Sequence, residues 1–565
     1  MDAVSVSRMR QPEAPSLPVS RTATLDDKNT PGEVEEKTTV ASQRSTFRSV
    51  CIVAACTSSM MMNTASQSPA IILPSVGRDL NIEQANLQWV ISAYAISSGC
   101  CLLVAGRLAD LYGRKRVWLI GYLILAAFGL GCGFAQSAIT LDVLRGLQGL
   151  GGAAVIPASL GILAQSFPPS RARSIAFATF ASGAPLGGAV SFIVGGVVTQ
   201  LTRPEWRSLF YVITGVCAAG MALGAYCIDA DQPTTEDDKR VDWIGAFLIT
   251  AGLVLVVFVL SDSPIASRGW KTNYIIALFV VGVCLVLAFL AWQYYLERRQ
   301  LDPNKPRTIW TAPPLMKLSM WGRARGRFAV MQFIACLNWA AFTCWLVWVQ
   351  LYYQDFLGLT PILTMVRVLP ITFVGIAANV AIALLVGRLD VMYIIALGTT
   401  LTGVADLLFA VIKPELPYWA FGFPSAMIIV LGADFVFAPG TLFISKISLP
   451  HEQSVAGAVF QSMTQIGTAL GLSISTIVYN GVLESKSRAL GVPHINDEGT
   501  NAPRQAQLKA YQAAYWTGFA FAIFCTSLSV LLRGVGIVGH RKTDVEKSSK
   551  TLTTDEPSHG ENPPS

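Results

Sequence analysis

Apolar stretches of membrane-spanning length recur along this chain, and they constrain its fold more than any other feature. A hydrocarbon core about 30 Å thick takes about 20 mostly apolar residues to cross as a helix. About fourteen stretches near that length can be read. They cover 50–73, 86–106, 117–135, 138–166, 174–200, 207–228, 241–261, 273–294, 328–352, 361–387, 391–412, 418–445, 454–483 and 512–538. Lipid offers the backbone no hydrogen-bond partners, so these stretches are expected to be helices. A membrane barrel would alternate apolar and polar residues, and they do not. Only 14% of residues are charged, against about 25% in a soluble domain. The expected fold class is an all-α integral membrane protein with fourteen transmembrane helices.

Residues 1–47 and 541–565 are polar and rich in Ser, Thr, Pro and charge, and read as disordered cytoplasmic tails. The first apolar run begins too late for a secretory signal peptide. Lys and Arg set the orientation. With the N-terminus inside, the cytoplasmic connections include Arg107–Arg116, Arg171 with Arg173, and a linker from Arg298 to Arg327 that carries eight basic residues. The outward connection 484–511, with Lys486, Arg488, Arg504 and Lys509, runs against the trend. The net charge of +7 is mostly this topology signal and implies no nucleic-acid partner. The eleven cysteines form no CxxC pair and read as small packing residues. The four histidines fall in loops or tails, so no metal site is expected.

A charged island, GRLADLYGRKR at Gly106–Arg116, interrupts the apolar pattern. Gly106 and Gly113 are expected to bracket a tight turn. Asp110 can sit against the positive end of a neighbouring helix, or pair with Arg114 or Arg107. The island has an echo in GRL at Gly387–Leu389, followed by Asp390 and Tyr393. An offset of about 280 residues lays the first five helices on helices nine to thirteen. The chain then divides as 48–228, a first six-helix half; 229–295, two inserted helices; 296–327, the basic linker; and 328–540, a second six-helix half. This is a 6+2+6 arrangement.

These residues carry a resemblance. The island resembles the signature between helices two and three of the major facilitator superfamily, through Gly106, Leu108, Asp110, Gly113, Arg114 and Lys115. LDVLRGLQGLGGA resembles the family's helix-four motif, through Leu141, Arg145, Gln148, Gly149 and Gly151. GAPLGG, with Gly183, Pro185, Gly187 and Gly188, is similar to an element associated with exporters. EWRSLFYV, through Trp206, Arg207, Phe210 and Tyr211, resembles the fourteen-helix drug:proton antiporter (DHA2-type) branch, as does DWIG at Asp242–Gly245. ADFVFAPGTLFIS and the run after it are similar to fungal members linked to aminotriazole resistance and to boron or ammonium movement. The resemblance covers roughly 45–540.

It implies that Gly106, Arg107, Asp110, Gly113, Arg114 and Lys115 latch the two halves when the site faces outward. It assigns the Pro185 segment to sealing and export bias, and Arg145 to proton coupling. Arg145 lies inside helix four, where an unpaired charge costs at least about 2.5–3.5 kcal/mol, and Asp142 can pair with it. Asp434 and Asp406 are intramembrane carboxylates able to load and release a proton, with Asp434 the nearer to a central cavity. Many members of the branch carry an acid in helix one; here Asn63 stands in MMMNTASQ and cannot carry a proton. Asn63, Gln67, Gln148, Asn338, Gln350, Gln461 and Gln465 are candidate cavity hydrogen-bonders. Trp345 and Trp348 fit packing roles better than stacking on a substrate.

The expected function is secondary active, proton-coupled efflux of a small organic compound by alternating access. No phosphate loop for ATP is present in the sequence, and no enzymatic constellation or cofactor is expected. Uptake of ammonium or another small solute is the alternative; a nutrient receptor on a transporter fold is the rival of another class. A monomer in the plasma membrane, or the vacuolar membrane, is expected, with small-molecule substrate, protons and lipid as partners.

Overall fold

Helix-starting signals and apolar runs coincide down the chain. The computed structural model describes residues 46–67, 72–82, 89–168, 170–195, 197, 202–231, 238–263, 269–300, 308–492 and 502–537. The tails, apart from 46 and 47, lie outside the described residues, as do parts of several connections. The first bundle holds α1 (Thr46–Gln67), α2 (Leu73–Leu80), α3 (Trp89–Cys100), α4 (Leu102–Tyr112), α5 (Arg114–Gly133), α6 (Ala138–Ser166), α7 (Arg171–Ala189) and α8 (Arg207–Cys227). A hairpin follows, α9 (Trp243–Asp262) and α10 (Asn273–Gln300). The second bundle holds α11 (Arg327–Leu351), α12 (Pro361–Val368), α13 (Pro370–Leu385), α14 (Val391–Ala410), α15 (Tyr418–Ile447), α16 (Gln453–Ala489) and α17 (Arg504–Ser529). Short polar side chains start several of them by accepting an orphan N–H. Ser137 takes Thr140 N–H at 3.2 Å, Asp242 takes Gly245 N–H at 2.8 Å, and Asp390 takes Met392 N–H at 3.0 Å.

α6 and α15, which begin 280 residues apart, are the most buried long helices, with Pro157 inside the first and Pro424 and Pro439 inside the second. α6 packs on α3, α4 and α5; α15 packs on α13, α14 and α11. The two bundles meet through α4 on α16, α6 on α16, and α7 on α13 and α15. The hairpin packs through α9 against α3 and α4 of the first bundle and α16 of the second. Among the described residues α10 packs mainly on α9, on the hairpin turn Gly269–Lys271 and on the short linker turns Ile309–Thr311 and Leu318–Gly322, so most of its surface is left for lipid.

The expected span count is matched in part, and one expectation, the turn at Gly106, needs correction. Among the described residues, eleven helices are individually long and apolar enough to cross a membrane, or up to twelve if α3 and α4, bent by 46°, form one span. α1 and α7 fall short of that standard because Ser, Thr, Asn and Gly interrupt them. Gly106 lies inside helix α4 and makes no turn; Gly113 alone does, at φ 112°. The stretch 361–387 holds one candidate span, Ile362–Leu385, as expected, with an interruption at Leu369 where Pro370 has no N–H to continue α12 into α13.

Candidate functional site: a latch across the seam and two buried polar centres

α4 and α16 can approach closely because Gly106 has no side chain. An added Cβ there would lie 2.9 Å from Ala458 Cβ and 3.0 Å from Ser454 O. This contact sets Asp110 at the start of α16, where helix N–H groups lack partners and the helix dipole is positive. Asp110 Oδ2 accepts from Ser454 N–H and Val455 N–H, both at 3.1 Å. Asp110 Oδ1 accepts from Arg114 Nη2 at 2.9 Å and Nε at 3.1 Å. Arg114 also reaches across the seam to Pro450 O at 2.6 Å, and back to Gly161 O at 3.0 Å and Gln165 Oε1 at 3.2 Å. Arg107 is buried beside them.

Lys115 serves its own bundle. Its backbone N–H bonds Asp231 Oδ1 at 2.7 Å, and its ammonium donates to Ala225 O at 2.8 Å and Ile228 O at 2.5 Å. Asp231 caps the start of α5, and any side chain at Gly113 would run into it. A second tie crosses the seam from Arg173 on α7, which donates to Ser445 O at 3.3 Å and to the Ser445 hydroxyl on α15. A third binds the linker: Glu452 pairs with Lys317 at 2.9 Å and Arg323 at 2.6 Å, with His451 at 3.3 Å. The linker's basic residues were legible only as a topology signal; their partner, Glu452, gave no sequence signal.

The first bundle buries a charge completely. Arg145 donates to Val90 O at 2.8 Å, Gln148 Oε1 at 2.8 Å and Ser66 O at 2.6 Å, and lies over the Tyr94 ring at 4.7 Å. The expected Asp142–Arg145 pair does not form. The guanidinium fork turns inward to three fixed acceptors, and Asp142 Oδ1 is buried without a hydrogen-bond partner. Tyr94 Oη donates to Asn63 Oδ1 at 2.9 Å, so Asn63, Tyr94, Arg145 and Gln148 form one chain of contacts. An added Cβ at Gly152 would lie 2.5 Å from Asn63 Oδ1 and 2.6 Å from Tyr94 Oη, so the glycines of α6 make room for this centre. The Gln67 side chain lies outside the described residues.

The second bundle has its own polar centre. Asp434 on α15 accepts from Asn379 Nδ2 on α13 at 2.9 Å. α13 is also the helix that faces α7: an added Cβ at Gly375 would lie 2.9 Å from Pro185 Cβ. Pro185 is therefore packed across the seam, while Gly183 and Gly187 sit against α1 and Gly188 has open space. Asn338 accepts from Thr402 Oγ1 at 3.0 Å. Asp406 is fully buried, and both its carboxylate oxygens lack hydrogen-bond partners among the described residues. It presses on Gly518 of α17, and its helix α14 packs only within the second bundle. Gln461 is buried, Gln350 half-buried, and Gln465 lines a cavity between α3, α9 and α16. The cavity candidates thus fall into separate places. Trp345 and Trp348 pack inside, donating to Ser425 Oγ at 2.6 Å and Ser475 Oγ at 2.8 Å.

At the opposite end of the first bundle, Asp79 on α2 clamps the turn before α8. It accepts from Trp206 Nε1 at 3.0 Å and Arg207 Nη1 at 2.5 Å. The Trp206 indole and the Arg207 guanidinium hold its carboxyl below the ordinary carboxylate value. A depressed folded value means the clamp's contribution is complete above the unfolded value of about 3.9 and fades only as pH falls below it. Asp79→Asn is therefore expected to lower Tm by the same amount at about pH 5.5 and about pH 7.5. Melting the pair of proteins at both pH values checks this, and a difference that vanishes at the lower pH would refute it.

Residues 53–258 match the family model described as Major Facilitator Superfamily. The chain is 29% identical to the puromycin resistance protein of Streptomyces alboniger, over 86% of this chain and 91% of that one. It is 26% identical to the low affinity ammonium transporter of Saccharomyces cerevisiae, over 83% of this chain and 85% of that one. Its fold resembles that of the human organic anion transporter MFSD10, with a TM-score of 0.58 at 13% identity, over 85% of this chain and 99% of that one. The family match thus runs from Val53 through the first bundle and most of α9, relatives align over more than four-fifths of the chain, and the fold is shared, so the chain is similar along most of its length to transporters of the Major Facilitator Superfamily.

Proposed function

We propose that this chain is a proton-coupled exporter of a small organic compound, working by alternating access with fourteen crossings arranged 6+2+6. The observation that carries the reading is the latch. Asp110 and Arg114 of the first bundle hold the start of α16 in the second. Such a contact can close one end of a seam while the other end opens. In this reading the latch side is cytoplasmic, as are both tails, and the protein works as a monomer in the plasma or vacuolar membrane. The exporter direction draws on the Pro185 element and on the relative named for puromycin resistance.

Asp434 is the proton carrier in this reading. Its carboxylate bonds Asn379, and α13, which carries Asn379, packs on Pro185 of the other half. Taking or losing a proton at Asp434 changes whether the group repels or holds the Asn379 amide, and so biases the seam. Arg145 and its acceptors position α1, α3 and α6 around the path; Asp142 and Asp406 lie off it. One proton moved per substrate across 100 mV supplies about 2.3 kcal/mol, enough for about 50-fold accumulation.

Asp434→Asn is expected to abolish that gradient-driven accumulation while leaving substrate exchange at equal pH on both sides. Inside-out vesicles loaded with a compound retained by cells lacking the protein measure both. Full accumulation in Asp434→Asn would remove Asp434 from the coupling. A second reading, uptake of ammonium or another small solute, is favoured by the relative named an ammonium transporter and by Asn63 in α1. The same vesicles distinguish the two: an importer moves its solute with the proton rather than against it.

A further inference from the structure

Beyond the latch the two bundles part. α4 lies on α16 through Gly106, but the 46° bend at Cys101 swings α3 away from it. Gly99 and Gln465 mark where they still touch: an added Cβ on Gly99 would lie 3.2 Å from Gln465 Cβ. The first helix of the inserted hairpin covers the resulting gap. α9 packs on both α3 and α16, and Phe258 meets Trp89 with ring centroids 5.3 Å apart. The three helices line a partly open cavity of about 140 Å³. Ser462 lies eight residues beyond Ser454, about 12 Å along α16 from the latch, so the cavity is a separate place in the seam.

Its polar groups are concentrated on α16, which contributes Ser462, Gln465 and Thr468, whereas α3 and α9 contribute one serine each, Ser92 and Ser261, among apolar residues such as Leu253 and Val257. Ser462 Oγ has no hydrogen-bond partner among the described residues, and the residue is 5% exposed. An apolar protein cavity of about 150 Å³ admits one benzene ring. A whole drug-sized molecule needs about 300 Å³ or more. Size and lining together therefore select one ring or a short alkyl segment, with a polar group turned to α16.

We propose that the cavity between α3, α9 and α16 binds the apolar end of a membrane-partitioned amphiphile, one aromatic ring or a short alkyl segment, and that the inserted hairpin exists in part to wall it. The transported compound is the occupant. That last statement rests on the transport reading above; occupancy of the cavity does not.

Full-length protein in phosphatidylcholine nanodiscs is labelled with a photoreactive benzyl alcohol carrying a trifluoromethyl-diazirine, and in parallel with a phosphatidylcholine whose acyl tail carries a diazirine. The ring probe is expected to label 91–100, 253–261 and 462–472, and Val257→Trp to cut that label about tenfold by filling the space. Leu253→Ala enlarges the cavity and is expected to admit a naphthyl probe the native protein excludes, which keeps the test alive if the Trp variant does not fold. Ring label no stronger than on the lipid-facing surface of α10, or tail label filling the cavity as well as ring label, overturns the proposal. For a compound whose efflux depends on the protein, Val257→Trp is expected to raise KM about tenfold with turnover little changed; an unchanged KM overturns the assignment of the transported compound as occupant. Cavity label in a protein on which no efflux depends would refute the transport reading and leave the binding site standing.

Discussion

Asp110→Asn is expected to unlatch the two bundles and to slow transport by an order of magnitude or more. Asn has nearly the shape of Asp but no charge. The Asp110 side chain is almost wholly buried, and it faces one guanidinium and two N–H groups at the positive end of α16. Breaking a buried pair from one side costs about 3–5 kcal/mol, because the remaining charge is left without its partner. The bonds to the Ser454 and Val455 N–H groups exist only while the bundles are closed on this side, whereas the Arg114 pair lies within the first bundle and persists when they open. The part of the cost that falls on the closed state alone is that of the two N–H bonds, about 1.5–3 kcal/mol each to a charged acceptor, and it shifts the closed–open balance by about tenfold or more. Spin labels at Tyr112 and Leu449, both exposed at 48% and 45% and on opposite sides of the seam, read this directly. A second, longer distance population is expected in Asp110→Asn. A distance distribution and turnover like those of the unmodified protein would remove the latch from the transport cycle. Lys115, whose bonds stay within its own bundle, is the control: Lys115→Gln is expected to leave the distances alone.

Arg145→Ala is expected to fail at folding rather than at gating. Three acceptors converge on its guanidinium, two of them carbonyls on α1 and α3 and one the Gln148 amide. Each buried bond to a charged group contributes about 1.5–3 kcal/mol. Losing three approaches the whole stability of a typical protein, about 5–15 kcal/mol. Little folded Arg145→Ala protein is expected from the membrane. Arg145→Lys keeps the charge, but one ammonium on a single stem cannot reach three acceptors set in different directions. It is expected to fold with a Tm lower by several degrees and to transport poorly. Thermal melts in detergent beside transport in vesicles separate the two effects. An Arg145→Ala protein that melts like the unmodified one would show that the three bonds do not hold α1, α3 and α6 together.

Much of the fold was legible because lipid leaves a chain few choices. Length and apolarity sufficed to place the long helices. The shortfalls have physical causes. α1 and α7 carry Ser, Thr and Gly, several of which, such as Ser58, Ser59, Gly183 and Gly187, pack on neighbouring helices, so hydropathy alone understates these two helices. The bend between α3 and α4 has no proline to announce it; it follows from α4 lying on α16 while α3 lies on α6 and α9. Gly106 looked like a turn residue, and its use is close helix contact, which depends on what lies across from it.

The candidate site divides in the same way. Arg145, Asp110 and Asp434 stand out in sequence because a charge among apolar residues demands compensation. Their partners do not stand out. Arg145 is satisfied by two backbone carbonyls, which every residue possesses, and the nearby Asp142 goes unused. Asp110 is satisfied by backbone N–H groups more than 340 positions away. Asp231, Glu452 and Asn379 are ordinary residues until the fold sets them beside Lys115, Arg323 and Asp434. By itself the sequence determined that this chain is a helical membrane protein, where its long helices run, and which buried charges must be answered, because the cost of polar groups in lipid acts locally on each segment. Only the tertiary structure decided who answers them, which glycines carry the seam, and that an inserted helix walls a cavity between the bundles, because those depend on contacts between segments hundreds of residues apart.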